Sequence, residues 1–473
     1  VIIIEMINKF RGKKNKLIIK SQFNKNILFL LDNLINYLIS NFVFIRHFYF
    51  LRQLRVNNKK DLKNKKYSLG IVYEERIKYL VEEFENDSNI NAIIIPRILI
   101  QRGFNFFLRQ YNKDKKGLPY GEYDLDIYLS PTYNDNRKKF IKYCRWINKF
   151  LLKNYNCNNL LIPKCNDDWA IDYIKSCNIE STKVFIDDRE GASTPKRNEV
   201  MPKRLKKLNF DYELMTTQNF IHKKLFVDSG FNSSKIIING AVQWDYWNKK
   251  NSWQDLYKSN IGLDKQKIKI LFFAFGPRTY VYFYYGNEKR TWSPLSKDIH
   301  DVMSQILRKY DEKIQIIYKF SGKMKRDSSN DLSRFCKYNQ KFIDNNSLLL
   351  LGANFSSMDL IRHCKIIVGF QTTGMIEAMN TSNQIIYTAW GDFYKEIENT
   401  LLPLANEKCL DICSSKKMFF ETLEKGIIRE SKKIKYNNFS ALERKKLIEK
   451  YFSYSDGKVS KRLVEIISSR INN

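Results

Sequence analysis

From Ser68 onward the chain alternates short, β-branched apolar runs with helical stretches, and this alternation restricts the fold more than any other feature. Strands are expected at 68–73, 91–96, 124–128, 159–162, 183–187, 213–216 and 235–239, with helices at 74–85, 137–153, 167–177 and 219–229 between them. Sequential βα units of this kind build a mainly parallel sheet with helices on both faces. After the polar, Trp-bearing stretch 248–266 a second series begins at Lys267. Its strands are expected at 267–274, 313–319, 347–351, 365–369, 384–388 and 408–412, and its helices at 296–310, 356–363 and 374–380, followed by terminal helices at 441–451 and 458–469.

The fold class expected is α/β, with two Rossmann-like doubly wound domains facing across a cleft and an N-terminal basic helical extension. The boundaries read as extension 1–66, N-terminal Rossmann-like domain 67–247, linker 248–266, C-terminal Rossmann-like domain 267–430 and C-terminal helices 431–473. A chain of 473 residues with 43% apolar and 14% aromatic content can bury two ordinary cores, and general disorder is excluded. Eight cysteines contain no C-x-x-C pair and only four histidines accompany them, so no metal site is expected. Scattered thiols suit a reduced, cytoplasmic protein better than a disulfide framework.

Lys and Arg outnumber Asp and Glu by 82 to 50, a formal charge of +32. Such a charge attracts polyanions. Lys, Asn, Ile, Phe and Tyr are abundant together, however, as A/T-rich codons would produce, and the cations are spread along the chain with no nucleic-acid module. A nucleic-acid partner is therefore disfavoured.

Residues 27–45 form an apolar stretch of membrane-spanning length, interrupted by Asp32, Asn33, Asn36, Ser40 and Asn41 on one helical stripe. The stripe makes the segment amphipathic, suited to lying on a membrane surface or packing on the protein's own domain. The cations Arg46, Arg52, Arg55, Lys59, Lys60, Lys63, Lys65 and Lys66, offset by Asp61 alone, favour an anionic membrane surface. The expected location is cytoplasmic, peripheral on the inner face of the membrane.

Ligands of open α/β sheets bind beyond the carboxyl ends of the strands. With only 18 glycines in the chain, Gly369-Phe370-Gln371-Thr372-Thr373-Gly374 after the strand 365–369 stands out. Free amides at a helix start, threonine hydroxyls and Glu377 one turn on suit a pyrophosphate and a ribose; helix capping alone is the plainer reading. Lys319 and Ser321 follow another strand and offer phosphate contacts, and Ser356 offers a hydroxyl or a helix cap. In the first series, Asp188, Arg189 and Glu190, with Gly191, follow the strand 183–187 and suit a general base with an orienting cation, or equally a charged turn. Asp124-Leu125-Asp126 reads as a turn feature, and Gly240 through Asp245 as a hinge in which Asp245 caps the linker.

The order Asp188-Arg189-Glu190-Gly191, then Ile236 to Gly240 with Asp245, then Thr372-Thr373-Gly374 with Glu377-Ala378, resembles GT-B-type surface-carbohydrate biosynthesis proteins. It is similar as well to the CDP-glycerol glycerophosphotransferases and UDP-N-acetylglucosamine 2-epimerases. The similarity spans roughly 68 to 430. It implies that Thr372, Thr373, Gly374 and Glu377 contact a nucleotide diphosphate or its sugar-like donor, helped by Lys319 and Ser321; Gly369 and Ser356 join the donor-binding candidates from their places after the strands. It also implies that Glu190 or Asp188 is the catalytic base, with Arg189 beside it. The chain departs from those relatives where Glu190-Gly191 replaces a His-Gly pair and Phe320-Ser321 a His-Pro pair, which disfavours the epimerase reading. The expected function is transfer of a glycosyl or polyol-phosphate group from a nucleotide-sugar or CDP-polyol donor to a polysaccharide or lipid-linked acceptor of the cell surface. The alternatives are a nucleotide-sugar epimerase or hydrolase on the same fold, or a basic nucleic-acid-binding protein. No cofactor or metal is expected, the nucleotide-activated donor being a substrate.

Overall fold

The computed structural model describes residues 34–56, 65–73, 77–109, 128–188, 194–248, 256–257, 261–276, 291–320, 330–352, 355–436, 441–454 and 456–472. The chain divides into two compact units. One comprises Val1–Asp188, Lys207–Met215 and Leu463–Asn473, the other Arg189–Lys206 and Thr216–Arg462.

The first sheet contains β1 (Arg55–Val56), β2 (Tyr67–Tyr73), β3 (Ile90–Pro96), β4 (Asn159–Ile162), β5 (Lys183–Asp187), β6 (Leu214–Thr217) and β7 (Ile236–Ile238), in the order β1-β3-β2-β4-β5-β6-β7. Strand β2 pairs in parallel with both β3 and β4, and β4 with β5. The two-residue β1, which no sequence pattern announced, lies antiparallel on β3 and closes that edge. Strands buried on both faces read as continuous apolar runs, and β3 is buried from Ile90 to Ile95. Of the expected strand 124–128 only Tyr128 is described, and it is helical. Its hydroxyl bonds Asp172, which also accepts two bonds from Arg137, at 2.9 and 2.7 Å, while the Arg137 guanidinium lies 4.8 Å from the Tyr128 ring centre. A further helix stands between the expected helices 167–177 and 219–229. Pro195–Leu205 is a helix, which Pro195 opens at the position where a missing N–H costs nothing.

The N-terminal segment is not one helix. Leu34–Asn41 and Val43–Gln53 are separate helices bent by 109° at Phe42, and among the described residues no single helix is long and apolar enough to cross a membrane. The bend is held by Arg46, buried, whose Nε donates to the Ile39 carbonyl at 2.7 Å and Nη2 to that of Ser40. Its guanidinium lies over the rings of Tyr143 and Trp146 on the helix Asn134–Tyr155. Arg102 donates to Asn36 and to the Tyr49 hydroxyl. Of the polar stripe, Asn36 and Ser40 are buried, Asn41 is exposed, and Asp32 and Asn33 lie outside the described residues, while Leu34, Tyr37, Phe42, Val43, Phe44 and Phe48 are exposed.

The second sheet contains β8 (Ile268–Phe273), β9 (Ile314–Lys319), β10 (Leu348–Leu351), β11 (Ile366–Gly369), β12 (Gln384–Thr388) and β13 (Asp411–Cys413), in the order β10-β9-β8-β11-β12-β13. Every adjacent pair is parallel. All six residues of β9 are buried, polar ones included. Gln315 satisfies its amide on the carbonyls of Gly262 and Asn346, both at 2.7 Å. In the same unit Asp245 opens the helix Asp245–Asn248 and its carboxylate accepts from the amides of Val459 and Ser460. Asp245 thus caps the last helix of the chain and not a linker, and Asn239 Nδ2 donates to the Val459 carbonyl beside it. Gly240, at φ +87°, allows this approach, since a Cβ there would lie 3.2 Å from the Phe452 carbonyl oxygen.

His300, on the helix Ser293–Tyr310, stacks on Phe335 and packs beside Tyr318. Burial pushes its pKa down from 6.5 to about 4. Above the upper value the ring is neutral whether the chain is folded or unfolded. As the pH falls from 6.5 towards about 4 the unfolded chain binds a proton that the folded ring refuses. Stability should therefore drop by about 2 to 4 kcal/mol across this window, and His300→Phe should remove that part of the slope. Urea unfolding at both ends of the window checks this; an identical slope in the variant would contradict it.

Candidate functional site

In the second sheet the chain runs from β8 outward to β9 and β10, then returns to β11 on the other side of β8. The order reverses between β8 and β11, and such a switch point is where open α/β sheets leave a crevice beyond their strand ends. The segment singled out in the sequence, 369–374, leaves β11 at this point. Gly369 ends the strand, and its carbonyl accepts from the Thr388 hydroxyl on β12 at 3.3 Å. Phe370 is fully buried, ringed by Trp292, Phe275 and Tyr387.

Gln371, which the sequence reading passed over, fixes the turn. It is buried at φ +50°, a conformation unusual for a residue with a side chain. Its Nε2 donates to the Tyr387 hydroxyl and the Leu402 carbonyl, and its Oε1 accepts from the Leu402 amide at 2.7 Å. Glutamine carries donor and acceptor together, which this arrangement needs. On the other side a Cβ at Gly374 would lie 2.6 Å from the ring of Phe273, the last residue of β8. Only glycine lets the turn descend onto the end of the central strand.

Between these two anchors Thr373 is exposed and Thr372 half-buried, followed by the short helix Gly374–Ala378, which carries Glu377, half-buried, in its first turn. The expectation of free amides at the helix start is not met. The Gly374 amide bonds the Thr372 hydroxyl oxygen at 3.3 Å, the Met375 amide the Thr372 carbonyl, and the Ile376 and Glu377 amides the Thr373 carbonyl. Five residues also align too few peptide dipoles for a strong terminal field. What this turn offers an anion is hydroxyl groups: Thr372 Oγ1 accepts from Gly374 and keeps its own proton to donate, and the Thr373 hydroxyl stands in solvent.

The remaining residues of interest lie at other strand ends. Lys319 ends β9 and is buried; its Nζ donates to the Phe320 and Gly352 carbonyls, both at 3.0 Å, tying β9 to the segment after β10. Burial draws its pKa below the usual lysine value. Ser356 caps the helix Ser357–His363 by accepting from the Asp359 amide at 3.5 Å, the structural role weighed for it. Asp188, directly after β5 in the first sheet, is buried at 1% exposure. Arg189, Glu190 and Ser321 lie outside the described residues. In the first sheet the order reverses between β2 and β4, one strand before β5, so Asp188 stands one strand away from that switch point. All eight cysteines are buried thiols, and among the described residues no cluster of His, Cys, Asp and Glu could hold a metal ion.

No protein-family model matches the chain, and no curated protein matches it. Solved structures do match in fold. A UDP-N-acetylglucosamine 2-epimerase aligns over 86% of this chain and 97% of its own, with a TM-score of 0.51 at 14% identity. The UDP-GlcNAc 2-epimerase from Methanocaldococcus jannaschii covers 85% of this chain and 99% of its own, with a TM-score of 0.51 at 15% identity. MnaA from S. aureus, in a co-structure with UDP, covers 86% and 97%, with a TM-score of 0.51 at 13% identity. These matches run nearly the full length of the known proteins and define a two-domain α/β fold of the GT-B type.

Proposed function

We propose that this protein is an enzyme acting on a nucleotide-diphosphate sugar, held by its second sheet at the switch point between β8 and β11. The observation that carries this reading is the turn 369–374, which presents Thr372 and Thr373, with Glu377 beside them, at the carboxyl edge where such folds take ligands. The threonine hydroxyls would donate to the diphosphate, and the Glu377 carboxylate would accept from ribose hydroxyls. Breaking the bond between the anomeric carbon and the diphosphate leaves negative charge on the phosphate oxygens, which hydroxyl donors and nearby cations stabilise. Asp188 or Glu190 would serve as base, with Arg189 orienting the second substrate. No metal or cofactor enters this scheme.

Two chemistries use this arrangement. Rearrangement or hydrolysis of the nucleotide sugar is favoured by the names of the matched structures, epimerases of UDP-N-acetylglucosamine. Glu190-Gly191 and Phe320-Ser321 stand where the resemblance places histidines in the epimerases and the glycerophosphotransferases alike, which favours glycosyl transfer to a polysaccharide or lipid-linked acceptor over both rearrangement and polyol-phosphate transfer. A proton-NMR time course with UDP-N-acetylglucosamine, with and without a surface-glycan acceptor, separates them: an epimerised or hydrolysed sugar appears without acceptor only on the first reading. Glu377→Ala should weaken UDP binding about tenfold or more, roughly 1.4 kcal/mol, with the melting temperature retained. Calorimetry giving unchanged affinity would remove Glu377 from the site.

We further propose that the helices Leu34–Asn41 and Val43–Gln53 seat the protein on an anionic membrane surface at the cytoplasmic face. The support is apolar surface left outside: Phe44 and Phe48 stand 73% and 53% exposed, with Leu34, Tyr37, Phe42 and Val43 exposed as well, while Asn36 is held inward by Arg102. Exposed apolar residues on a helix face fit the headgroup boundary, where basic neighbours add attraction. The double variant Phe44→Ser with Phe48→Ser should lose most co-sedimentation with phosphatidylglycerol vesicles while its fold persists. Undiminished binding would contradict the proposal.

A further inference from the structure

The opposite edge of the second sheet carries a feature that the proposed reaction does not use. At the amino ends of β8 and β11 a cavity of about 490 Å³ is lined by Lys265, Lys267, Lys269, Lys365, Lys433 and Lys435. Tyr257, His363 and Tyr436 supply rings, and Ser382 and Asn383 supply neutral polar groups. An adjoining cavity of about 540 Å³ shares Ser382, Lys435 and Tyr436, and adds Arg444 and Lys445.

The cations divide into two groups. Lys267 is engaged, its Nζ donating to the Asp311 carbonyl at 2.6 Å and the Ser347 hydroxyl at 2.8 Å. Lys269 is buried, donates to the Lys265 carbonyl at 3.3 Å and, like Lys265, lies over the Tyr257 ring. Arg444 holds the carbonyls of Thr381 and Asn383. Lys267 and Lys269 build the floor, and Arg444 lines the adjoining cavity. Lys365, Lys433 and Lys435 are exposed at the rim, and among the described residues none of them has an ion-pair partner. The one carboxylate in the lining, Glu430, is paired with Arg429 at 3.2 Å. Several unpaired ammoniums around one concavity repel each other unless an anion sits among them, and a low-dielectric floor strengthens its capture.

We infer that this cavity binds a small molecule bearing two or more phosphoryl groups, at a site distinct from the turn 369–374. The volume falls in the range of small-ligand pockets. Lysines act as point charges towards phosphate, and a tyrosine at the wall can face a ring carried by the ligand. The two sites lie at opposite ends of the same strands, roughly 15 Å of β8 apart. Occupancy here is therefore independent of direct contact with a nucleotide sugar.

The test is titration of the full chain with sodium tripolyphosphate at physiological ionic strength, for wild type and for two triple variants. One is Lys365→Gln, Lys433→Gln, Lys435→Gln; the other neutralises Lys142, Lys153 and Lys206, exposed lysines elsewhere, by the same change. The first variant should lose about tenfold or more in affinity and the second about twofold or less, with UDP affinity unchanged in both. Equal losses in the two variants, or no binding to wild type, would overturn the site. So would a single-stranded oligonucleotide that outcompetes tripolyphosphate through the same three lysines, since that would make the surface one for nucleic acid. Because UDP binding is read separately, failure here does not bear on the proposed function.

Discussion

The candidate site depends on one close approach, that of Gly374 to the ring of Phe273. It lets the chain leaving β11 fold back over the end of β8, the strand at which the sheet order reverses. The opposite side of the turn is tied down by Gln371, whose three hydrogen bonds offset an unfavourable backbone conformation. With both sides fixed, Thr372 and Thr373 are presented on a rigid loop, which is what selective recognition of a diphosphate requires. The proposed chemistry is a consequence of this geometry and of where the turn lies in the strand order.

Much of the architecture was legible because buried parallel strands announce themselves as apolar runs. Ile314–Lys319 and Ile366–Gly369 fall where the pattern placed them. Elements that rely on partners distant in sequence were not legible. Two residues, Arg55 and Val56, form a strand only because the edge of β3 is available. Tyr128 is helical in a stretch that reads as β, under the pull of Asp172 and Arg137. At the candidate site, glycine and hydroxyl content singled out the turn 369–374, but not Gln371 as its anchor, since glutamine is an ordinary loop residue until its partners are known. The free amides inferred from composition are consumed by the turn's own hydrogen bonds.

The large positive charge also becomes intelligible residue by residue. Arg46, Arg102, Arg137 and Arg444 are buried and hold carbonyls, hydroxyls or a carboxylate in place. Lys319 does the same between two strand ends. These cations are structural, so net charge alone is a poor guide to a polyanionic partner. The informative cations are those that gather around a concavity without an ion-pair partner among the described residues, as Lys365, Lys433 and Lys435 do.

Hydrogen exchange read by mass spectrometry, with and without UDP, tests the central claim most directly. The account predicts that UDP slows exchange in peptides covering 369–380 and leaves the amino ends of the strands unchanged. Protection confined to other segments, with 369–380 exchanging as in the free protein, would contradict it.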